Sequence, residues 1–236
     1  MTRLDDRLTE IENKLDEVQR LLHQLIAVHV AGEEAQSLSG TAQSMEALVE
    51  EYEEIMSDYA DTDPLELQYQ TALNWASSDR SEDLSEFDLA GRSMRNIDLK
   101  DAKLVRANLS RCDMTGGKLI RADLTESDIS RAQMGRVDFS KAILEQSDLT
   151  FAHLAYAKLE GANLRYALLT RANLVGVNLG GADLGGAQLN RANLSRANLK
   201  DAVFTYRQLA SASSLDGATM PDGRLYDGSA EPYKNG

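Results

Sequence analysis

Between Leu84 and Leu209 every fifth residue is apolar, twenty-six positions in succession without a slip of register. A period of five fits neither the 3.6-residue turn of an α-helix nor the simple alternation of a strand. An unbroken short period means stacked structural units, each too small to bury its own apolar face. Within a unit such as Ala192-Asn193-Leu194-Ser195-Arg196, the Ala and Leu lie two apart. In an extended segment they therefore face one side and the Asn the other. Ser-Arg must then turn the chain, since otherwise the inward side would flip at every step. Such a chain closes a coil after a few units, and successive coils stack through backbone hydrogen bonds. Small or apolar residues at one inward position (Ala102, Ala107, Cys112, Gly117, Ala122, Ser127, Ala132, Val137) and Leu at the other would fill a narrow interior. The recurring Asn or Asp before the Leu, as at Asn108, Asp123, Asn163, Asn173 and Asn198, suits side-chain-to-backbone bonding beside tight turns.

This pattern resembles the pentapeptide-repeat family, whose consensus A-(D/N)-L-x-x recurs as Ala-Asn-Leu at 107–109, 162–164, 172–174, 192–194 and 197–199, and as Ala-Asp-Leu at 122–124 and 182–184. The resemblance covers roughly residues 82–220. It implies a mainly β fold, a right-handed quadrilateral β-helix with four units, hence 20 residues, per coil. The 126 residues from Leu84 to Leu209 then make about 6.3 coils, a rod on the order of 30 Å long at about 4.8 Å per layer. Open ends would expose strand edges. Glu82, Phe87 and Arg92 stand where Ala is expected, so the first coil should meet a cap. After Leu209 the spacing shifts by one, to Leu215 and Met220, and Met220-Pro221-Asp222-Gly223 reads as a turn that ends the pairing. Residues 221–236 are expected to form a loose tail.

Ahead of the repeat, Leu4, Leu8, Ile11, Leu15, Val18, Leu22, Leu25 and His29 follow a 4-3 heptad spacing over residues 1–31. This coiled-coil helix predicts a homo-oligomer, with folding back on its own chain and capture of another helix as alternatives. Residues 32–40 read as a linker. A helical hairpin over 41–81 is expected to cap the β-helix. Its first helix spans about 41–60, and its second has Leu65, Tyr69, Leu73 and Ala76 along one stripe with Trp75 beside it. Pro64 suits the first position of that second helix.

The net charge of −13 is unevenly divided. Residues 1–83 carry 5 Lys and Arg against 20 Asp and Glu, whereas 84–211 carry 18 against 14. A single cysteine, Cys112, excludes an internal disulfide framework and reads as a small core residue. No apolar stretch has the length of a membrane span, and no secretory signal pattern opens the chain. The expected setting is cytoplasmic, with no membrane partner.

Chemistry-bearing residues are sparse. His23 and His29 fall on the first helix and His153 faces outward, with no metal-ligand spacing around it. Gly180-Gly181 and Gly185-Gly186 lack the Lys and the strand-loop-helix context of a phosphate loop, and are expected to thin two turns. No nucleophile–base pair emerges, so catalytic, cofactor and metal sites are all read as none. What the repeat offers is columns of residues 20 apart. One reads Gly91, Arg111, Arg131, Phe151, Arg171, Arg191 and the next Asn96, Gly116, Arg136, Tyr156, Gly176, Arg196. Together they predict a basic, aromatic-punctuated docking stripe along one edge, diluted by Asp128 and Asp148, with a plain solvated surface as the alternative. The expected function is a non-enzymatic protein–protein interaction scaffold, a rigid rod oligomerised through the heptad helix. DNA mimicry toward a topoisomerase, known in the family, is disfavoured by the basic rod; nucleic-acid binding through the Arg stripe is the other alternative.

Overall fold

The computed structural model describes residues 63–228 apart from residue 79. The chain divides into two units, Met1–Asp63 and Pro64–Gly236, and the second holds the whole repeat. The heptad helix with Leu4, Leu8, Ile11, Leu15, Val18, Leu22 and Leu25, the 32–40 linker and the 41–60 helix lie outside the described residues.

The repeat forms a four-sided β-helix. Each unit contributes one bridging residue, and parallel bridges join positions 20 apart. One face runs Asp83, Lys103, Asp123, Ile143, Asn163, Asp183, Val203, seven layers without slip. The second runs from Asp88 to Gln188, the third from Ser93 to Asn193 and the fourth from Asp98 to Asn198. The backbone hydrogen bonds obey the same register: Leu104 N–H donates to Asp123 O at 2.7 Å and Asn108 N–H to Phe87 O at 2.8 Å. The inward pair of each unit is buried as the spacing requires, with Leu104, Leu109, Leu124, Ala102, Ala107 and Cys112 all at 0 % exposure. Ser127 and Ser147 also point inward, and each hydroxyl is satisfied by the carbonyl three residues back, Leu124 O at 2.8 Å and Leu144 O at 2.7 Å.

Every corner is a β-turn closed by the apolar residue's carbonyl, as where Ala107 N–H donates to Leu104 O at 3.1 Å. The third residue of the turn has positive φ, which makes it a type II turn. From Glu86 to Asp201 all twenty-four such positions have φ between +57° and +75°, and only six are glycine. The Asn or Asp ahead of the Leu locks the turn: Asp123 Oδ1 accepts from Thr125 N–H at 3.0 Å and from its hydroxyl at 2.6 Å, an Asx arrangement repeated at Asn163, Asn173 and Asn198.

At the N-terminal end lies α1 (Pro64–Asn74), followed by a 3₁₀ turn at Trp75–Ser77. Its buried residues are Ala72 and Trp75, while Leu65 and Leu73 are 41 % and 37 % exposed. The expected stripe of Leu65, Tyr69, Leu73 and Ala76 is therefore corrected. The facing side is chosen by aromatics whose polar tips satisfy first-coil carbonyls. Tyr69 Oη donates to Ser93 O at 2.7 Å and Trp75 Nε1 to Lys100 O at 3.4 Å. Gln68 Oε1 accepts from Asp88 N–H at 2.8 Å. The irregular Arg92 lies over the Tyr69 ring at 4.9 Å and pairs with Glu66 at 2.8 Å.

At the other end a short helix, α2 (Tyr206–Ala210), interrupts the repeat behind a Thr205–Gln208 capping box. Leu209 keeps its buried place, but in a helix rather than in a repeat unit. Gln208 Nε2 donates to Leu184 O and Ala187 O at 2.6 and 2.9 Å, filling the place of a strand. The one-residue shift then appears in the ladder as Asn193–Ser214 and Asn198–Thr219 bridges, 21 apart. The turn at Met220–Gly223 closes at 2.8 Å. Beyond that turn the expected loose tail is corrected in part. Leu225 pairs antiparallel with Thr219, and Tyr226 N–H donates to Ala218 O at 2.8 Å, covering a strand edge that would otherwise be open.

Candidate docking face

Arg111, Arg131, Phe151, Arg171 and Arg191 occupy one corner column, and Arg136, Tyr156 and Arg196 the next. All eight are exposed and all sit at the positive-φ turn position, with φ of 58–60°. The two columns are not one edge. They are the two corners that flank the third face, whose outward residues are Ser93, Asp113, Gln133, His153, Asn173 and Asn193. The stripe is thus a framed surface, and His153, an isolated outward residue in the sequence, shares a layer with Phe151 and Tyr156.

Phe151 is gripped by its column neighbours. Arg131 lies over its ring at 5.0 Å and Arg171 at 5.4 Å. Tyr156 leans one layer forward onto Gly176, where a Cβ would fall 2.7 Å from two ring carbons. That glycine is required by contact rather than by its φ of +65°, which non-glycine residues adopt at eighteen other corners.

The charges of this face are left open. On the other two corner columns the arginines are neutralised from the layer before: Arg121 donates bidentately to Asp101 at 2.7 Å, and Arg106 pairs with Glu86. Among the described residues no carboxylate lies within 4.0 Å of Arg111, Arg131, Arg136, Arg171, Arg191 or Arg196. The four segments 131–136, 151–156, 171–176 and 191–196 contain five arginines and no Asp or Glu. Asp128 and Asp148 make no ion pair with the stripe among the described residues; each accepts from its own turn, from Ser130 and Thr150 N–H at 2.8 Å. At the foot of the face, Asp113 pairs with Arg95 at 3.2 Å. The hydroxyl of Thr115 holds the Asp113 carboxyl below the usual carboxylate range, against the opposing effect of burial and with help from the Thr115 amide and Arg95.

The amide side chains show the same openness. On the other faces Asn108, Asn163, Asn178 and Asn198 donate through Nδ2 to Asp88, Glu145, Glu160 and Asn178. On the third face Asn173 and Asn193 use Oδ1 for their turns, and among the described residues their Nδ2 groups and the side-chain amide of Gln133 meet no acceptor.

Elsewhere, Gly180 and Gly181 thin a corner and leave a shallow polar hollow beside Asn178, Asn198 and Lys200, where the two carboxamides already bond one another at 2.9 Å. Cys112 is enclosed, and burial pushes its thiol up to about 12, which keeps it unreactive. No group of His, Cys, Asp and Glu among the described residues could hold a metal ion, and no helix among them is long and apolar enough to cross a membrane. Sequence reasoning misses the positive φ of the corners, although glycine at positions 91, 116, 161, 176, 181 and 186 is its visible trace.

Comparison with known proteins agrees with this geometry. The family described as Pentapeptide repeats matches residues 93–131, 132–171 and 167–205, in eight copies. The repeat region belongs to the pentapeptide-repeat family, whose members form right-handed quadrilateral β-helices. Similar solved structures include a pentapeptide repeat protein from the Arabidopsis thaliana thylakoid lumen, 28 % identical over 50 % of this chain and 69 % of that one, with a TM-score of 0.37. HetL, involved in heterocyst differentiation regulation in the cyanobacterium Nostoc sp. strain PCC 7120, is 26 % identical over 65 % of this chain and 96 % of its own, at a TM-score of 0.30. Rfr23 from the cyanobacterium Cyanothece 51142 is 23 % identical over 67 % and 99 %, at 0.29. No curated protein matches the chain.

Proposed function

We propose that this chain is a non-enzymatic protein-interaction scaffold: a rigid β-helical rod that docks acidic partner surfaces on its third face and is displayed in more than one copy through the heptad helix of residues 1–31. The observation that carries the reading is the set of six exposed arginines with no carboxylate within 4.0 Å among the described residues, on a rod whose corner arginines Arg106 and Arg121 are paired. A backbone bonded layer to layer fixes the spacing of the residues that bear these side chains, so no backbone order has to be gained on binding. Copies joined at one end would raise avidity without new contacts. A buried, unpaired cysteine accords with a cytoplasmic setting.

The test is affinity capture on the full chain from its own cell extract, beside an Arg131→Glu/Arg191→Glu variant and a Lys200→Glu control. The proposal expects proteins retained by the wild type and the control to be lost from the double variant, and to survive nuclease treatment. Unchanged retention by the double variant would remove the third face as the docking surface. Light scattering of the full chain against a Leu8→Asp/Leu15→Asp variant tests display, and a monomer in both would end it.

A further inference from the structure

The third face has an internal pattern beyond its charge. Layer by layer along the rod, Arg111 comes first, then Arg131 with Arg136, then Phe151 with His153 and Tyr156, then Arg171, then Arg191 with Arg196. The arginines thus form two clusters of three, Arg111/Arg131/Arg136 and Arg171/Arg191/Arg196, separated by one layer of rings. The centres of the two clusters lie three layers apart, about 14 Å at about 4.8 Å per layer.

An extended peptide advances about 3.3 Å per residue and presents residues i, i+2 and i+4 on one side. Four residues of strand span roughly 13 Å, close to the separation of the clusters. We propose that the third face binds an extended acidic segment of a partner protein laid along the rod axis, with acidic residues at i and i+4 over the two arginine clusters and an apolar residue at i+2 over the Phe151–Tyr156 layer. This rests on the interaction-scaffold reading and names the partner's chemistry. The unengaged Nδ2 groups of Asn173 and Asn193 and the Gln133 carboxamide lie between the columns, where they can donate to carbonyls of such a strand. Phe151, 36 % exposed, has guanidinium groups over its ring. It therefore presents an apolar edge to a side chain rather than a free face to a nucleobase. An uncharged middle layer likewise suits two separated carboxylates better than the evenly spaced phosphates of a nucleic-acid strand.

The experiment is fluorescence anisotropy at low ionic strength with the full chain and three labelled probes. The first is Gly-Ser-Glu-Ser-Phe-Ser-Glu-Ser-Gly; the second has the same composition with adjacent acids, Gly-Ser-Ser-Phe-Ser-Ser-Glu-Glu-Gly; the third is a short oligo-dT. The inference expects the first peptide to bind about tenfold more tightly than the second, a difference of one well-placed charge-assisted contact. It also expects Arg131→Gly/Arg191→Gly, which removes one arginine from each cluster at corners where glycine fits the backbone, to abolish that difference. A thermal melt of the variant no lower than wild type assigns the loss to the removed side chains. Equal affinity for both peptides, lost in the variant, overturns the spacing while leaving the scaffold reading in place. Tighter binding of oligo-dT overturns the peptide assignment and counts against the scaffold reading too. Failure of the first peptide to bind overturns the inference, and the scaffold reading then stands or falls on its own capture experiment.

Discussion

Replacing Arg111 and Arg191 by glycine should stabilise the β-helix. Both residues sit at type II corners with φ of +58° and +59°. Among the described residues neither side chain makes an ion pair, hydrogen bond or ring contact. Holding an L-residue in the left-handed region costs about 1–2 kcal/mol. Glycine avoids this but adds about 0.4–1 kcal/mol of unfolded-state entropy to be lost on folding. The balance is about 0.5–1 kcal/mol of stabilisation per site. Removing a like charge one layer from Arg131 or Arg171 adds a few tenths. The two corners are four layers apart, about 19 Å, so the effects should sum. The double variant should therefore gain about 1.5–2.5 kcal/mol. For a unit the size of Pro64–Gly236 that raises Tm by roughly 3–7 °C. Far-UV circular dichroism and calorimetry on the full chain measure the shift, with Arg111→Ala/Arg191→Ala as control. Alanine relieves the charge but not the backbone, so it should recover only the smaller part. A glycine variant that melts at or below the wild type, or an alanine variant that gains as much, would refute the corner-strain argument.

Gly181→Ala places its Cβ in open space and should cost only the left-handed penalty of about 1 kcal/mol, whereas Gly176→Ala adds a 2.7 Å contact with the Tyr156 ring and should melt lower still. Equal melting points would show that the ring does not rest on the glycine. Stability should be flat from neutral pH to about pH 4 and fall below it, because Asp113 and Asp138 have folded-state carboxyls below their ordinary value of 3.8. For Asp138 burial pulls upward, but the Ser140 hydroxyl and amide and Lys158 outweigh it. The unfolded chain then takes up protons first, so this contribution is complete above the ordinary value and lost as pH falls through the folded one. Asp138→Asn keeps the turn acceptor, and acid denaturation monitored by circular dichroism should be shallower; a steeper acid loss would contradict the assignment.

The period of five is enough to read the inward Leu and Ala rows, the outward Asn and Asp, the turn at the two residues after each Leu, and the shift after Leu209. Each of these is a local consequence of side-chain direction, which a sequence carries directly. The handedness of the corner is harder to see. Its glycine signature is diluted by eighteen other residues, among them Arg106, Phe151 and Tyr156, each held there by the ladder bonds on either side. The orientation of α1 escapes the sequence because apolarity alone points to Leu65 and Leu73. What decides it is the hydrogen bonding of Tyr69 and Trp75 to particular carbonyls of the first coil. Asp128 and Asp148 mislead for a similar reason, since which acid an arginine reaches depends on side-chain geometry: Asp113 and Asp183 hold their own turns and also pair with Arg95 and Arg165, whereas Asp128 and Asp148 hold their turns alone. That the two arginine columns frame a face rather than form an edge emerges only once the four ladders are assigned.

The corners also bear on the proposal that the third face docks a partner. If the turn position were shaped by stability alone, glycine, asparagine or aspartate would suit it best. Where the structure places Arg106 and Arg121 there on the other columns, part of the strain is offset by an acid one layer away, Glu86 for Arg106 and Asp101 for Arg121. Among the described residues, the columns beside the third face carry the same backbone cost at Arg111, Arg136, Arg191 and Arg196 without that return, and the pairs Arg111–Arg131 and Arg171–Arg191 add the repulsion of like charges in neighbouring layers. The left-handed backbone by itself marks no site, since Lys141 and Gln146 share it on the other columns; what sets the third face apart is the arginines that flank it. On the scaffold reading proposed above, these exposed arginines, which no carboxylate neutralises among the described residues, meet their counter-charge on the docked partner.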